Sequence, residues 1–137
     1  MVDDPRGLVS NFDALIGTEW LELDDDPGHA RARVPVRDEL RQPVGLIHGG
    51  VMSSLIESVC SRATALAVLD DGMAAMGQSI GVSFMRPVTE GYVEVRAEAR
   101  HRGRTTWVWD AEVLDADEKL CALAQMTIAV RPLPKRD

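Results

Sequence analysis

Apolar and polar positions in the first third of the chain follow first a helical period and then a strand period. Positions 8, 9, 12, 15 and 16 are apolar, which is the spacing of one helix face, and the glycine at position 17 is typical of a helix end. Residues 18–24 alternate apolar with acidic side chains, and residues 30–36 alternate small or apolar side chains with polar ones. The stretch 24–28 between them contains Asp, Pro and Gly, which are turn residues. The pattern predicts a helix over 8–16 followed by a hairpin.

The middle of the chain is a long segment that is apolar on almost every side. Residues 51–69 contain neither Gly nor Pro. A helix with this composition is predicted to be buried around its circumference, because a helix with one exposed side carries a polar stripe. The segment 37–50 before it is a long connection, and connections of that length are often functional. An Asp-Asp-Gly turn at 70–72 ends the predicted helix.

Four strand-type stretches make up the rest of the chain: 73–85, 92–101, 105–114 and 120–130. The residues between them are turn-type separators at roughly hairpin spacing, which predicts antiparallel strands. A helix, a hairpin, a buried helix and four antiparallel strands form an α+β order. We expect one domain over 1–137, with a loose polar end at 1–7.

The bulk composition is that of an ordinary globular domain, since 45% of the 137 residues are hydrophobic and 27% are charged. The net charge of −7 argues against a nucleic-acid partner, because binding phosphates requires a basic surface. No uninterrupted apolar run has the length of a membrane span. The two cysteines show no metal-ligand spacing and are expected to be reduced. The sequence predicts a soluble, cytoplasmic protein that binds no membrane.

A glycine pair opens the predicted buried helix. The sequence His48-Gly49-Gly50 places sterically open backbone N–H groups at a helix N-terminus, where the helix dipole attracts negative charge. Glu57 follows two turns later among apolar residues, and a lone carboxylate there requires a task or a partner. Ser61 lies four residues further on and shares a helix face with Glu57. Backbone N–H groups can stabilise negative charge and a carboxylate can act as nucleophile or general base, although the glycine pair can also be a helix start and nothing more.

The spacing of Gln42, His48-Gly49-Gly50, Glu57 and Ser61 resembles the signature of hotdog-fold acyl-CoA thioesterases. The resemblance is closest to the phenylacetate-pathway-like group, on the side of the 4-hydroxybenzoyl-CoA and 1,4-dihydroxy-2-naphthoyl-CoA thioesterases. It implies a curved antiparallel sheet wrapped around the helix at 51–69. It also implies hydrolysis of an aromatic or medium-chain acyl-CoA to the free acid and CoA.

The same resemblance implies a role for each residue of the motif. Gly49 N–H would be the oxyanion donor, with Gln42 near the thioester and His48 shaping the loop or contacting the thioester. Glu57 would act as nucleophile or general base, supported by the Ser61 hydroxyl. In related enzymes the loop and the carboxylate come from different protomers, which implies a homodimer or a dimer-of-dimers homotetramer with the site at the dimer interface. CoA is then part of the substrate, and no separate cofactor is expected.

Positive charge is concentrated near residue 102 despite the acidic total. Residues 100–104 read Arg-His-Arg-Gly-Arg, and guanidinium groups, hydroxyls and a glycine turn are the groups that bind phosphate. The resemblance extends this to CoA binding, for which the candidates are Arg86, Arg102, Gly103, Arg104, Thr105 and Thr106. The alternative is a basic hairpin tip on a solvated surface, with Arg86 as a structural ion-pair partner.

Several features allow a purely structural interpretation. Glu57 is a buried acid paired with Arg62 under that alternative, and Trp107 and Trp109 are predicted to pack in the core or at an interface. Cys60 is predicted to be a core residue, and the three histidines have no metal-ligand spacing, so no metal site is expected. Two further functions stay open at this point: a hotdog dehydratase or hydratase, and a non-catalytic acyl-CoA-binding module.

Overall fold

The computed structural model describes residues 4–21 and 25–135 of the chain. The parts of the predicted loose end and of the predicted first strand and turn that fall on 1–3 and 22–24 lie outside these residues. The remaining predicted helices and strands are all present, with ends shifted by a few residues. The helices are α1 (Asn11–Ile16) and α2 (Gly49–Val68), and the strands are β1 (Glu19–Trp20), β2 (His29–Pro35), β3 (Met73–Phe84), β4 (Tyr92–Arg102), β5 (Thr106–Asp115) and β6 (Leu120–Pro132).

The six strands form one antiparallel sheet in the order β1-β2-β4-β5-β6-β3. The predicted hairpin of β1 and β2 is confirmed. The predicted hairpin between β3 and β4 is wrong. β3 pairs with β6, and the connection after β3 crosses over to β4, which pairs with β2 and β5. Val88 in this connection is buried, and its carbonyl accepts a hydrogen bond of 2.8 Å from Ile47 N–H. The crossing leaves β3 as a sheet edge next to β6.

The α2 helix is the core of the fold, as predicted, but the expectation that it is buried around its circumference is wrong, because one face, which carries Glu57, is exposed in the single chain. It packs against β2, β3, β4, β5 and β6, and its buried residues include Leu55, Ile56, Val59 and Cys60. The sheet curves around this helix, and the hotdog architecture implied by the resemblance is confirmed. The sequence was expected to contain no apolar segment long enough to span a membrane, and this expectation is wrong. The helical stretch Gly49–Asp71 has 23 residues and a window of mean hydropathy 1.3, which is long and apolar enough by length and composition. Within the most apolar 18-residue window of this stretch, 61% is buried inside the fold, which accounts for its apolar composition.

The α1 helix begins at Asn11, three residues later than predicted, because two polar groups shape the chain before it. The Asp4 carboxylate accepts hydrogen bonds from Leu8 N–H at 2.7 Å and Val9 N–H at 2.9 Å. Ser10 then caps the helix, and its side chain and that of Asp13 satisfy each other's backbone N–H groups in a capping box. The apolar positions 8 and 9 are therefore in the segment before the helix.

The two tryptophans of β5 pack in the core, as expected. Trp109 is fully buried and Trp107 is 6% exposed, with ring centroids 6.0 Å apart. The Trp109 indole donates to the Thr64 hydroxyl at 2.9 Å, and that hydroxyl donates to the Cys60 carbonyl at 2.8 Å. Cys60 is fully buried, which confirms its prediction as a core residue, and burial raises the pKa of its thiol.

A charged cluster lies on the outer face of the sheet, where β2 and β4 pair. Glu94 is 1% exposed, and its carboxylate accepts hydrogen bonds from Arg31 at 3.1 Å, Arg33 at 2.7 Å and Arg96 at 2.6 Å. Burial acts to raise the pKa of Glu94, but the bonds from Arg96, Arg33 and Arg31 outweigh it. The pKa of Glu94 therefore lies below its ordinary value. Three arginines compensate one buried carboxylate, so the cluster joins the two strands.

Candidate active site

The connection before α2 folds back on itself and presents Gln42. Gln42 N–H donates to the Leu46 carbonyl at 2.9 Å, and Gly45, with φ of 98°, donates back to the Gln42 carbonyl at 2.9 Å. The Gln42 side-chain oxygen accepts from Val44 N–H. The Arg41 guanidinium binds the Gly45 carbonyl at 2.7 Å. These bonds hold the loop in one shape in front of the helix.

His48 caps the N-terminus of α2. Its Nδ1 accepts from Gly50 N–H at 2.8 Å, and its carbonyl accepts from Val51 N–H at 3.0 Å. The N–H of Gly49 is in the first helical position and has no acceptor among residues 4–21 and 25–135. The cap therefore leaves one N–H free for an incoming oxygen, and the structure gives His48 a position that shapes the loop.

Gly49 lies directly against an aromatic ring. A Cβ added at Gly49 would lie 2.9 Å from Cζ of Phe84, at the end of β3. Such a distance is not tolerated, so any side chain at position 49 would displace the ring or the loop. Phe84 is half-exposed, and together with Gln42, Met52 and Arg86 it lines a cavity of about 460 Å³ around Gly49.

Glu57 extends from the exposed side of α2 over the edge strand. A Cβ added at Gly77 on β3 would lie 2.9 Å from Oε1 of Glu57 and 2.8 Å from Cε of Met126. In the part of the chain that the structure describes, the Glu57 carboxylate has no ion pair or hydrogen bond, and the pairing with Arg62 considered above is not formed. Glu57 is solvent-exposed in the isolated chain, which leaves its carboxylate available for chemistry.

Ser61 and Glu57 line one cavity, of about 360 Å³, on the side of α2 that faces α1. Ser54, Ser58, Arg62 and Ala65 also line this cavity from α2. The sequence prediction that Ser61 shares a face with Glu57 is confirmed. The neighbouring Arg62 is buried, and its guanidinium lies 4.8 Å from the Trp20 ring. Burial lowers the pKa of Arg62, while Asp4 and Asp13 act in the opposite direction.

Within one chain, the loop and the carboxylate lie in separate cavities. Gly49 and Glu57 are eight residues apart on one helix, which corresponds to about 12 Å along the axis. A carbonyl oxygen bound to Gly49 N–H would therefore be out of reach of the Glu57 carboxylate of the same chain. The structure brings Gln42, His48, Gly49 and Arg86 together at one end of the sheet, and Glu57 with Ser61 nearer the other.

The basic residues assigned to CoA occupy two places. Arg86 is exposed beside Gly49, whereas the β4–β5 turn at 103–105, flanked by Arg102 and Thr106, lies near the opposite end of the strands. Arg102 binds Asp26 at 2.7 Å and packs against Gly28, so it braces a neighbouring turn. Gly103 donates to the carbonyl of Thr106 at 2.8 Å and has no room for a side chain. Arg104 and Thr105 are exposed.

A third and larger cavity, of about 790 Å³, lies across the outer face of the sheet. It contains none of the predicted catalytic residues. Most of its charged side chains form ion pairs with neighbours, as Arg96 does with Glu94 and Glu118. This face offers no N–H donor at a helix start, so the glycine loop and Glu57 stay the candidate site. Among the described residues, no group of three or more His, Cys, Asp or Glu side chains could hold a metal ion.

Comparison with known proteins decides the family. A sequence profile of the Thioesterase superfamily matches residues 44–122, more than half of the chain, and this segment includes the glycine loop, Glu57 and Ser61. The chain belongs to this superfamily.

Relatives of this thioesterase match along most of their length. The 1,4-dihydroxy-2-naphthoyl-CoA hydrolase of Listeria monocytogenes is 33% identical over 85% of this chain and 92% of its own. The proofreading thioesterase EntH of Cronobacter turicensis is 32% identical over 84% of this chain and 82% of its own. Thioesterase HI1161 of Haemophilus influenzae has a TM-score of 0.85, 32% identity, and coverage of 93% of this chain and 87% of that structure. The chain is a thioester hydrolase with the hotdog fold.

Two residues of the candidate site of this thioesterase were missed by sequence reasoning. Phe84 lies at the end of β3 and gives no signal of its contact with Gly49. Gly77 does give one, since an isolated glycine in a strand pattern indicates a bulge or a close approach of other atoms. The register of β3 shifts between Gly77 and Ser79, and the Glu57 carboxylate lies where a side chain would be.

Proposed function

We propose that this thioesterase hydrolyses acyl-CoA thioesters, with Gly49 N–H as oxyanion donor and Glu57 as the catalytic carboxylate. The observation that supports the proposal is that, among the residues that the structure describes, one helix of a thioesterase fold carries both an N–H without an acceptor, at Gly49, and a carboxylate without a partner, at Glu57. Family membership favours hydrolysis over the dehydratase and binding-module alternatives. The CoA portion is supported by the Listeria relative, whose name specifies a CoA thioester.

The chemistry begins with the thioester carbonyl oxygen on Gly49 N–H. The dipole of the 20-residue α2 adds to this hydrogen bond as negative charge develops on the oxygen. Glu57 either removes a proton from a water that attacks the carbonyl carbon, or attacks the carbon itself to give an anhydride that water then cleaves. In both routes the C–S bond breaks, and the thiolate leaves and takes up a proton. A single turnover in ¹⁸O-labelled water detects the anhydride route when water attacks the Glu57 carboxyl carbon, because the first product then carries an unlabelled oxygen from Glu57 and the label enters the enzyme.

A second copy of the chain completes the site in this proposal. The β3 edge is 12 residues long and largely exposed, and an uncovered edge strand is a template for pairing. We infer that two β3 strands pair antiparallel around a two-fold axis near Ile80. Phe84 of one copy then lies opposite Met76 of the second copy. This register places Gly49, which contacts Phe84, close to the Glu57 carboxylate that lies over Gly77 of the other copy.

The CoA arm fits the same arrangement. Arg86 lies beside Gly49 of one copy, and the turn with Arg104 and Thr105 lies near the Glu57 end of the second. The hydrogen bond of 2.9 Å from Val130 N–H to the Thr105 carbonyl places that turn two strands from β3. We propose that Arg86 and this turn bind the CoA phosphates from both sides of the composite site. Arg102, occupied by Asp26, contributes by holding the turn.

The test is thiol release from benzoyl-, 4-hydroxybenzoyl-, phenylacetyl- and hexanoyl-CoA by wild type and by Glu57→Gln. We expect the variant to lose activity by about a hundredfold to ten-thousandfold, the contribution of a general base. Glu112→Gln is the matched control, because Glu112 is an exposed carboxylate on the outer face of β5. Full turnover by Glu57→Gln of every thioester that wild type cleaves would contradict the assignment. Absence of thiol release by wild type from the whole panel would contradict the acyl-CoA function.

A further inference from the structure

The cavity beside Glu57 has a wall that comes from outside α2 and the sheet. Phe12 of α1 lines the same cavity as Glu57 and Ser61, and so does Leu8 in the segment before α1. Phe12 is 50% exposed and Leu15 on the same helix is 68% exposed, whereas Ile16 is 5% exposed and anchored in the core. The catalytic role proposed for Glu57 does not explain why an aromatic ring lines this cavity.

The segment that carries Phe12 is held firmly in place. The capping box of Ser10 and Asp13 sets the start of α1, and Gly17 closes it with φ of 81°. Asp4 binds the backbone of the segment before α1, and both Asp4 and Asp13 attract the buried guanidinium of Arg62. Because Arg62 lies one turn beyond Glu57 on α2, the position of α1 is tied to the part of the helix that carries the carboxylate.

The cavity has the properties of an acyl subsite. Its volume of about 360 Å³ is at the lower end of the range for ligand sites, about 300–1,000 Å³. Leu8, Phe12, Ala65 and Ala75 give it an apolar lining on several sides. The thioester carbonyl must lie at Glu57 for hydrolysis, so the group that extends into this cavity is bonded directly to that carbonyl. An apolar wall with an aromatic ring suits the acyl part and not the phosphate-bearing CoA arm.

We infer that α1 forms the acyl wall of the site and that Phe12 determines acyl preference, selecting a single aromatic ring over a small acyl group. This inference rests on the proposed function, because it requires the thioester to lie at Glu57. The ring of Phe12 presents its face or edge to the acyl ring, an arrangement that aromatic pairs favour. Phe12 touches the acyl group and takes no part in bond breaking.

The test compares benzoyl-CoA with acetyl-CoA in wild type, Phe12→Ala and Leu15→Ala. Leu15 is the matched control, because it lies on the same helix, is 68% exposed and does not line the cavity. We expect Phe12→Ala to lower kcat/KM for benzoyl-CoA by about tenfold or more relative to acetyl-CoA, the effect of a lost hydrophobic contact in a pocket. Phe12→Leu should recover part of the loss, and Leu15→Ala should leave the ratio unchanged. An unchanged ratio in Phe12→Ala would overturn the inference while leaving the thioesterase proposal intact.

A binding measurement separates the inference from the chemistry. In the Glu57→Gln background, Phe12→Ala should weaken binding of benzoyl-CoA and leave binding of free CoA unchanged. Equal weakening of both ligands would indicate a structural effect and overturn the acyl-wall role. Thermal unfolding of each variant checks the fold. Because the Phe12 side chain is half-exposed, its removal should change the melting temperature little. If wild type releases thiol from none of the thioesters, the proposed function itself fails, an outcome distinct from an unchanged acyl ratio.

Discussion

Gly77 is the residue that gives the Glu57 carboxylate its place over the edge strand. The two groups that a side chain at position 77 would meet are both ends of flexible side chains, Oε1 of Glu57 and Cε of Met126. Both can move aside with little cost to the fold. A side chain at position 77 would therefore displace the Glu57 carboxylate but would have little effect on the stability of the sheet.

Gly77→Ala should reduce turnover without destabilising the protein. A displacement of the carboxylate of about 1 Å is expected to lower kcat by about tenfold to a hundredfold, while the melting temperature stays within a few degrees. Gly81→Ala is the control, since a Cβ at Gly81 meets nothing within 4 Å and lies on the same strand. Steady-state kinetics and thermal unfolding of both variants make the comparison. Wild-type turnover in Gly77→Ala would show that Glu57 is positioned by something else.

The motif residues were predictable from the sequence because they are local. Gly49 follows His48, and Glu57 and Ser61 are one turn apart on one helix, so helical geometry alone relates them. The contacts of Gly49 with Phe84 and of Glu57 with Gly77 join residues more than 15 positions apart. They depend on how β3 lies over α2, which no local pattern specifies.

At the scale of the elements, the Glu94 cluster joins β2 to β4. The strands pair from His29 with Glu98 to Pro35 with Tyr92, and the cluster lies on the outer face of that ladder. A carboxylate that is paired in the fold and has a lowered pKa stabilises the folded state above its unfolded pKa. That contribution is lost as the pH falls through the folded pKa.

Glu94→Gln should lower the free energy of unfolding at pH 7 by about 2–3 kcal/mol, since three arginines lose a buried charged acceptor. The difference between wild type and variant should shrink as the pH falls below the ordinary glutamate pKa of about 4.3 toward the lower pKa of folded Glu94, because the unfolded chain takes up the proton first. Urea unfolding at pH 7 and at pH 3.5 measures both differences. Glu98→Gln is the control, because the Glu98 carboxylate is exposed and its ion pair with Arg100 is long, at 3.7 Å. A pH-independent difference for Glu94→Gln would contradict the assigned ionisation.

The strand order marks where sequence reasoning at this scale ended. The strands themselves were predicted because alternation and turn residues are local signals. The pairing of β3 with β6 instead of β4 is set by the crossing at Val88, a buried residue in a stretch whose Arg86-Pro87 and Glu90-Gly91 resemble hairpin turns. Only the need to wrap a sheet around α2 explains that crossing.

At the scale of the whole molecule, the proposed site is shared between two copies. The two-fold axis of the pair relates one complete site to the second, so each pair contains two identical sites. Each site would use Gly49 from one copy and Glu57 from the other. A defect in Gly49 and a defect in Glu57 on different copies would then leave one of the two sites intact.

Co-expression of Gly49→Val and Glu57→Gln chains with different tags tests this sharing. The purified mixed dimer should recover about half of the wild-type activity, because one of its two sites has both groups. Each variant alone should be inactive, Gly49→Val because its side chain would collide with Phe84. An inactive mixed dimer would show that each site belongs to a single chain.

Both cysteines of the sequence, Cys60 and Cys121, are fully buried. Burial raises the pKa of each thiol, so neither supplies a thiolate that could attack a disulfide. This matters for a hydrolase whose every turnover releases a free thiol. When that product is oxidised, its disulfides find no partner on the enzyme, and no mixed disulfide accumulates. The same shielding means that a disulfide reagent used to count released thiol reports the product and not the protein.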